Sequence, residues 1–285
     1  MVRSVSRVLV AGCGYVGTEL CLRLARAGHT VFALRRRADR VPAGIRALSA
    51  DLTQAQSLGG LPDALNVAFY TAAADDGSEA AYRAAYVDGL RNLSRALQEQ
   101  KQSPRIVFTS STAVYAQSDG QWVDETSETA PTHHTGKLLL EAEAVLSACG
   151  LSHVVLRLGG IYGPGRGSLL RSVRAGEASY AKGHAQYTNR LHRDDCAGAL
   201  MHLGLLPAPE RVYLGVDNDP AARREVLQYL AELCSAPPPQ AVTAKPVRRG
   251  GSNKRCRNTR LLRSGYRLTY PSFREGYAAM LGVVS

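Results

Sequence analysis

Short apolar runs alternate with longer amphipathic segments along most of the chain, starting close to its first residue. Val8–Ala11 is a run of β-branched and small apolar residues, which is typical of a buried strand. The leucine-rich segment Leu20–Ala25 has the character of a helix, and Gly28 is a suitable residue to end it. Thr30–Leu34 is a second apolar run. This pattern predicts a strand–helix–strand unit of about 30 residues.

The alternation continues beyond this unit. Further strands are predicted in four segments: Ala50–Leu52, Asn66–Ala74, Arg105–Ala116 and His153–Gly165. Helices are predicted over Ser78–Gln100 and Leu138–Cys149. Because strands that alternate with helices form parallel sheets covered on both faces, we predict an α/β, doubly wound fold. Ligands of such sheets bind at the carboxyl ends of the strands.

Three glycines lie between the first predicted strand and the first predicted helix, in the spacing G-x-G-x-x-G. Gly12 permits a tight turn, Gly14 allows a pyrophosphate to approach the backbone, and Gly17 allows the helix to pack closely on the strand. The start of the following helix offers unpaired N–H groups and a positive dipole end to phosphates. In this strand–turn–helix context the motif predicts dinucleotide binding and a Rossmann-type sheet.

Arginines follow the second predicted strand, where a site that prefers NAD usually has an acidic residue for the ribose 2′-hydroxyl. Arg35, Arg36 and Arg37 occupy this position, and a guanidinium can bind a 2′-phosphate through two hydrogen bonds. We therefore expect NADP(H) to be the preferred cofactor. NAD(H) stays an alternative, and Asp39 is the residue that would favour it.

Proline and glycine punctuation increases after Tyr162 and indicates a change of architecture. We expect residues 1–160 to form the dinucleotide-binding domain, with residues 189–206 returning to it. Residues 161–188 and 207–285 are expected to form a smaller carboxyl-terminal α/β lobe that binds substrate.

The chain has 285 residues and a formal net charge of +11, concentrated in Arg35–Arg37 and Lys245–Arg263. Neither cluster has zinc-finger spacing, a heptad basic region or an RNP-type motif, which favours small phosphate-bearing ligands over nucleic acid. No apolar run is long enough for a membrane span, and no signal-peptide pattern is visible. Six cysteines without a C-x-x-C pair indicate reduced thiols. We expect a cytoplasmic protein.

Several motifs occur in the order typical of one superfamily: GCGYVG, ADL, FTSSTAVY, LRLGGIYGPG and NRLHRDDCAGAL. Together they resemble the extended short-chain dehydrogenase/reductase superfamily, and within it the NAD-dependent epimerase/dehydratase group. The later segments look like the carboxyl-terminal lobe of the bacterial proteins called nucleoside-diphosphate-sugar epimerase-like. The resemblance covers nearly the whole chain.

The resemblance implies roles for matched positions. Thr112 would hold the substrate oxygen, and Lys137 would bind the nicotinamide ribose. The implied cofactor contacts are Gly12, Gly14, Tyr15, Val16, Gly17, Arg35, Arg36, Asp51, Leu52, Ala72, Ala73, Thr109, Lys137 and Leu158. The implied substrate contacts are Tyr115, Gly160, Tyr162, Arg166 and Arg193. Gly160 stands where sugar-nucleotide enzymes often have asparagine, so the substrate class is open between sugar nucleotides and other anions.

One departure from the family concerns its catalytic tyrosine, which should lie four residues before Lys137. This chain has His133 there. A tyrosine, with an ordinary pKa of about 10, needs a nearby cation to act at neutral pH, whereas a histidine does not. The proton could therefore be handled by His133, by another residue such as Tyr115, Tyr162 or His134, or by none.

Two functions follow from these alternatives. The first is an NAD(P)-dependent oxidoreductase, epimerase or dehydratase that acts on a small anionic or sugar-nucleotide-like substrate. The second is a catalytically silent NADP(H)-binding protein that reports redox state to a partner. Adjacent histidines without a third ligand do not indicate a metal site. The predicted helices Ser78–Gln100 and Leu138–Cys149 match those that pair in homodimers of many relatives, so a homodimer through this pair is the expected assembly, if there is one.

Overall fold

The computed structural model describes residues 5–183, 185–243 and 253–283. Its strands are β1 (Arg7–Ala11), β2 (Thr30–Arg35), β3 (Arg46–Ser49), β4 (Val67–Tyr70), β5 (Arg105–Ser111), β6 (Gln121–Val123), β7 (His153–Leu158), β8 (Gly160–Tyr162), β9 (Ser179–Ala181), β10 (Arg190–His192), β11 (Val212–Gly215), β12 (Gln240–Val242) and β13 (Lys254–Cys256).

The α-helices are α1 (Tyr15–Arg26), α2 (Glu79–Tyr82), α3 (Gly89–Glu99), α4 (His134–Ala148), α5 (Ser168–Arg174), α6 (Arg193–Leu205), α7 (Arg223–Leu233), α8 (Thr259–Arg263) and α9 (Phe273–Met280). A π-helical turn, Arg83–Asp88, joins α2 to α3, so the single helix predicted over Ser78–Gln100 consists of three helical pieces. Helix α4 begins four residues earlier than predicted, and its first turn therefore includes Lys137.

Seven strands of the described residues form a parallel sheet in the order β11-β7-β5-β4-β1-β2-β3. The fully buried residues of β1, Val8–Ala11, pair with β2 on one side and β4 on the other. The chain therefore proceeds outward from β1 in one direction through β2 and β3, and in the other through β4 and β5. This reversal of strand order is the topological switch point at which doubly wound sheets bind ligands. The predicted Rossmann-type fold is confirmed.

The described chain divides into two compact units. The first comprises Met1–Val114, His134–Arg157 and Ala197–Tyr213, and the second Tyr115–His133, Leu158–Cys196 and Leu214–Ser285. The second unit also includes residues 115–133 and 189–196, which were expected in the dinucleotide-binding domain. Strand β6 in the first of these segments pairs with β13, and the buried Lys254 amino group donates to the Tyr115 carbonyl 3.0 Å away.

A buried polar cluster joins three elements of the first unit. The Arg157 guanidinium in β7 donates to both carboxylate oxygens of Glu143 in α4, at 3.1 and 2.7 Å. The Ser110 hydroxyl in β5 donates to the same carboxylate at 2.6 Å. All three residues are less than a tenth exposed. Because β5 precedes Thr112 and α4 carries Lys137, this cluster links the two elements that carry these candidate site residues.

The core of the second unit packs α5, α7 and α9 around Tyr162. The Tyr162 ring stacks on Tyr277, with 4.6 Å between ring centroids, and meets His192 edge-on. Helix α9 approaches so closely that a methyl group on Gly276 would lie 1.9 Å from the Tyr162 hydroxyl oxygen. A capping box of Ser272 and Glu275 begins this helix.

None of the described helices combines the length and apolar character that crossing a lipid bilayer requires. All six cysteines are free thiols, and four of them, Cys13, Cys21, Cys196 and Cys256, are buried.

Candidate functional site

The turn between β1 and α1 contains three glycines. At two of them a side chain would clash with neighbouring atoms, and at the third it would not. Gly12 has a φ of +103°, and a methyl group on it would lie 2.3 Å from the Ala72 nitrogen. A methyl group on Gly17 would lie 2.3 Å from the Gly12 carbonyl oxygen. At Gly14 the nearest atom is 4.0 Å away. Packing therefore requires Gly12 and Gly17, whereas the space at Gly14 is open to a ligand.

The start of α1 is suited to an anion. Its first turn has no acidic residue, and the N-cap Gly14 provides no side-chain hydrogen bond to it. The N–H groups of Tyr15, Val16 and Gly17 begin a helix of 12 residues, whose dipole makes this end positive. Together with the open space at Gly14, these features fit the pyrophosphate of a dinucleotide.

The arginines after β2 have different surroundings. Arg35 ends the strand, and its guanidinium donates to the Arg40 carbonyl at 3.4 Å. Arg36 is exposed and donates through both terminal nitrogens to the carboxylate of Asp75, at 2.8 and 2.5 Å. Asp39 is exposed in a short 3₁₀ turn. The carboxyl end of β2 thus carries positive charge, but one guanidinium is already paired.

Asp51 and Leu52 lie just beyond β3. The Asp51 carboxylate accepts hydrogen bonds from the backbone and hydroxyl of Thr53, at 2.9 and 2.8 Å, which hold its orientation. Leu52 is buried, and its carbonyl accepts a hydrogen bond from Asn92 in α3. These contacts hold the loop that carries two of the implied cofactor contacts.

The exits of β4 and β5 carry the next candidate residues. Ala72 and Ala73 follow β4, and the first is half-buried and the second exposed. The Thr109 hydroxyl donates to the Tyr70 carbonyl at 3.0 Å, so it ties β5 to β4. Thr112 is 9% exposed and begins a 3₁₀ turn directly after β5. In the first unit these residues share the sheet edge with the glycine turn, because the strands are parallel.

The residues around the start of α4 have separate roles. Lys137 is exposed in the first turn of the helix. A ring nitrogen of His134, Nε2, lies 3.0 Å from the Gly77 carbonyl oxygen, and the ring meets Tyr82 edge-on. The imidazole of His134 is thus used in a structural contact. His133 is half-buried and directly precedes the helix, so it stands outside its first turn.

Two tyrosines considered as proton donors or substrate contacts lie in the core of the second unit. The Tyr115 side chain is 1% exposed, and its hydroxyl donates to the Asp124 carbonyl at 2.9 Å. Tyr162 is 5% exposed, and burial raises the pKa of its phenol. Packing of α9 explains the burial of Tyr162, which the sequence pattern did not predict. Within this unit, both hydroxyls are buried and contact backbone carbonyls, so neither is exposed for proton exchange with a substrate.

The remaining predicted contacts of the second unit differ in exposure. Leu158 is buried at the end of β7, whereas Gly160 and Arg166 are exposed. The Arg193 guanidinium is paired with the Asp194 carboxylate at 2.9 Å, so the contact predicted for it with a substrate anion would require this pair to open. Asp195, in the first turn of α6, is fully buried and accepts hydrogen bonds from the Thr269 and Tyr270 backbone and the Tyr266 hydroxyl.

The second basic cluster is largely structural where it is described; residues 245–252 lie outside the described part. Lys254 is 3% exposed, and burial lowers the pKa of its amino group. The Arg255 guanidinium lies between the rings of Trp122 and Tyr187, 4.8 and 4.7 Å from their centroids. The Lys254 and Arg255 side chains are therefore engaged in contacts within the second unit.

A pocket of about 350 Å³ in the second unit was not predicted. Three cationic residues, Lys182, Arg223 and Arg224, line it together with Tyr180, and its described lining has no carboxylate. The Arg224 guanidinium stacks over the Tyr180 ring at 5.6 Å. Lys182 precedes the consecutive Arg223 and Arg224 by about 40 residues, which is why no local motif indicated this cluster. Among the described residues, no three His, Cys, Asp or Glu side chains form a group suited to a metal ion.

Comparisons with known proteins agree with this fold. A model of the NAD dependent epimerase/dehydratase family matches residues 8–192. A Streptomyces protein named 3-diazoavenalumate denitrifying reductase is 29% identical over 315 residues, which cover 95% of this chain and 98% of that protein.

Solved structures resemble this chain over almost its whole length. A candidate NAD-dependent epimerase/dehydratase from Methylobacillus flagellatus is 37% identical, with a TM-score of 0.81 and 98% coverage of both chains. The UDP-glucose 4-epimerase of Thermus thermophilus, solved in complex with NAD, has the same TM-score at 22% identity, covering 97% of this chain and 98% of its own. At 22% identity, the likeness concerns the fold.

Proposed function

The chain belongs to the NAD dependent epimerase/dehydratase family, within the extended short-chain dehydrogenases/reductases, and we propose that it is an NADP(H)-dependent reductase of a small anionic substrate. The observation that carries this proposal is the glycine turn, which is closed at Gly12 and Gly17 and open at Gly14. A turn of this shape at the start of a helix suits a pyrophosphate, and Arg35–Arg37 supply the charge that a 2′-phosphate requires.

The chemistry divides between the cofactor and the chain. A nicotinamide, when bound, supplies or accepts a hydride. Thr112 would orient a substrate oxygen by hydrogen bonding, and Lys137 would bind the ribose through its ammonium group. His133, at the position of the family's tyrosine, would give or take a proton at a ring nitrogen. Proton transfer by a positioned side chain is worth roughly 10²–10⁴ in rate.

The Streptomyces relative is named as a reductase, and this favours reduction over epimerisation. A net reduction requires one hydride transfer, whereas an epimerisation through a ketone must return the hydride to its substrate. The pocket lined by Lys182, Arg223 and Arg224 supports an anionic substrate, because three cations without a carboxylate favour negative charge. A sugar nucleotide is one member of this class.

The proposal is tested by NADPH oxidation with a panel of anionic carbonyl, diazo and sugar-nucleotide compounds. We expect turnover with at least one compound, a large loss of turnover in His133→Ala with unchanged NADPH affinity, and turnover retained in His133→Tyr. His134→Ala is the matched control, because that imidazole contacts the Gly77 carbonyl.

The histidine at the tyrosine position also favours a second function, an NADP(H)-binding protein without turnover that reports redox state to a partner. Tight NADPH binding without oxidation by any compound, together with capture of a partner by one redox form alone, would establish this second function and overturn the reductase. Equal turnover in the wild type and His133→Ala would remove His133 from the mechanism.

A further inference from the structure

An ion pair crosses the end of β1 at the predicted dinucleotide site. Arg36 directly follows β2, and Asp75 follows β4, while β1 lies between these two strands. Two strand spacings separate β2 from β4, roughly 10 Å. The Arg36–Asp75 pair therefore bridges the loops on either side of the glycine turn that follows β1.

This pair uses one N–H of each terminal nitrogen of Arg36, which together form the end-on bidentate face of the guanidinium. Its two terminal nitrogens contact the two oxygens of Asp75, at 2.8 and 2.5 Å, in the bidentate arrangement that guanidinium groups also form with phosphates. Hydrogen bonding to Arg36 lowers the pKa of Asp75, so the carboxylate is charged at neutral pH. Both side chains are more than half exposed, at 60% and 67%, so the pair can open without disturbing the core.

We propose that Asp75 is a specificity-determining residue that competes with the 2′-phosphate of NADP for the Arg36 guanidinium. The inference rests on the proposed function, since it concerns the same cofactor. A 2′-phosphate must displace Asp75 to form a bidentate contact with the same two terminal nitrogens, whereas the 2′-hydroxyl of NAD does not require Arg36. Asp75 therefore weakens NADPH binding selectively and brings the affinities of the two cofactors closer together than three consecutive arginines suggest.

The chain contains a matched control for the charge of Asp75. Asp76 is the next residue and is also exposed, but its carboxylate accepts a hydrogen bond from the Ser78 backbone. Asp75→Asn and Asp76→Asn each remove one negative charge from the same loop. Only the first removes the charge that pairs with Arg36. A difference between the two variants therefore separates competition from general electrostatic repulsion.

Dissociation constants for NADPH and NADH, measured by titration calorimetry at about 150 mM salt, test the proposal. Asp75→Asn should tighten NADPH binding roughly two- to fivefold, which is the range that an exposed ion pair is worth, and should leave NADH unchanged. Asp76→Asn should leave both constants unchanged. Arg36→Ala should weaken NADPH binding roughly tenfold or more. In the Arg36→Ala background, Asp75→Asn should have no further effect.

The outcomes separate the two proposals. If the wild type binds neither nucleotide, the proposed function fails. If NADPH binds and Arg36→Ala weakens it, but Asp75→Asn and Asp76→Asn behave alike, the cofactor assignment stands and the competition is refuted. Equal tightening of NADPH and NADH by Asp75→Asn also refutes it, because the effect would then not depend on the 2′-phosphate. Thermal unfolding of each variant verifies that the fold is retained.

Discussion

Substitution of Glu143 by alanine tests the energetic role of the buried cluster in the first unit. The change removes the carboxylate that accepts two hydrogen bonds from Arg157 and one from Ser110. The guanidinium would remain in the interior without its counter-charge, since its side chain is only 8% exposed. Such an unpaired buried charge is the most costly result of a single substitution at an ion pair.

The size of the loss in unfolding free energy follows from the burial of this pair. Removing one partner of a buried ion pair costs about 3–5 kcal/mol. With a urea dependence of about 2–3 kcal/mol per molar, the unfolding midpoint should fall by roughly 1–2 M. The loss is a large part of the 5–15 kcal/mol that stabilises a typical domain, so expression of the variant should also decrease.

Urea unfolding followed by circular dichroism measures the effect, and α4 supplies a matched control. Glu141 lies on the same helix and also forms a bidentate pair, with Arg83, but both side chains are 40% exposed or more. Glu141→Ala should leave the midpoint nearly unchanged, because water screens an exposed pair. The double variant Glu143→Met/Arg157→Met should recover most of the loss, since it leaves no buried charge.

Similar midpoints for Glu143→Ala and Glu141→Ala would refute the argument that burial decides the strength of these pairs. A double variant as unstable as Glu143→Ala would show instead that lost packing, not the uncompensated charge, causes the change.

Three further predictions concern the glycine turn and the second unit. Gly14→Ala should lose dinucleotide affinity in calorimetry but retain the wild-type melting temperature. Gly17→Ala should lower the melting temperature in thermal unfolding, because its methyl group would meet the backbone. Burial raises the pKa of Asp217 to about 7, so between about pH 4 and 7 the folded state holds a proton that the unfolded chain has lost, and stability falls as pH rises through this window. Asp217→Asn should flatten that dependence in urea titrations at pH 5 and 8, and an unchanged slope would contradict it. Tyr162→Phe should leave turnover unchanged, because the hydroxyl lies in the core. A large loss of kcat would show instead that this hydroxyl takes part in the reaction.

Local features of the fold were predictable because they depend on neighbouring residues. The apolar run at Val8–Ala11, the glycine spacing and the alternation of strands with helices indicated a parallel, doubly wound sheet, which the structure confirms. The predicted start of α4 lies four residues too far along the chain, because Gly136 is a poor helix former and the first turn was therefore not recognised as helical.

The candidate site was less predictable because its properties depend on distant partners. Arg36 and Asp75 are 39 residues apart, and nothing in the arginine cluster indicated that one guanidinium is paired. The burial of Tyr162 depends on α9, more than 100 residues later. Lys254 looked like a surface cation until its contact with the Tyr115 carbonyl was known. The catalytic and binding roles of the site residues stay predictions.

The interleaving of the two units has a consequence for synthesis on the ribosome. Residues up to Val114 provide five strands of the sheet, but the first unit also needs His134–Arg157 and Ala197–Tyr213. Roughly 100 further residues must be translated after Val114, which takes on the order of 5–20 s. In the first part of this interval, before His153–Leu158 have been translated, β5 has no neighbour on its outer side because β7 is not yet available to pair with it. The nascent chain therefore exposes an apolar strand edge, and nascent-chain-binding chaperones should engage it until β7 emerges.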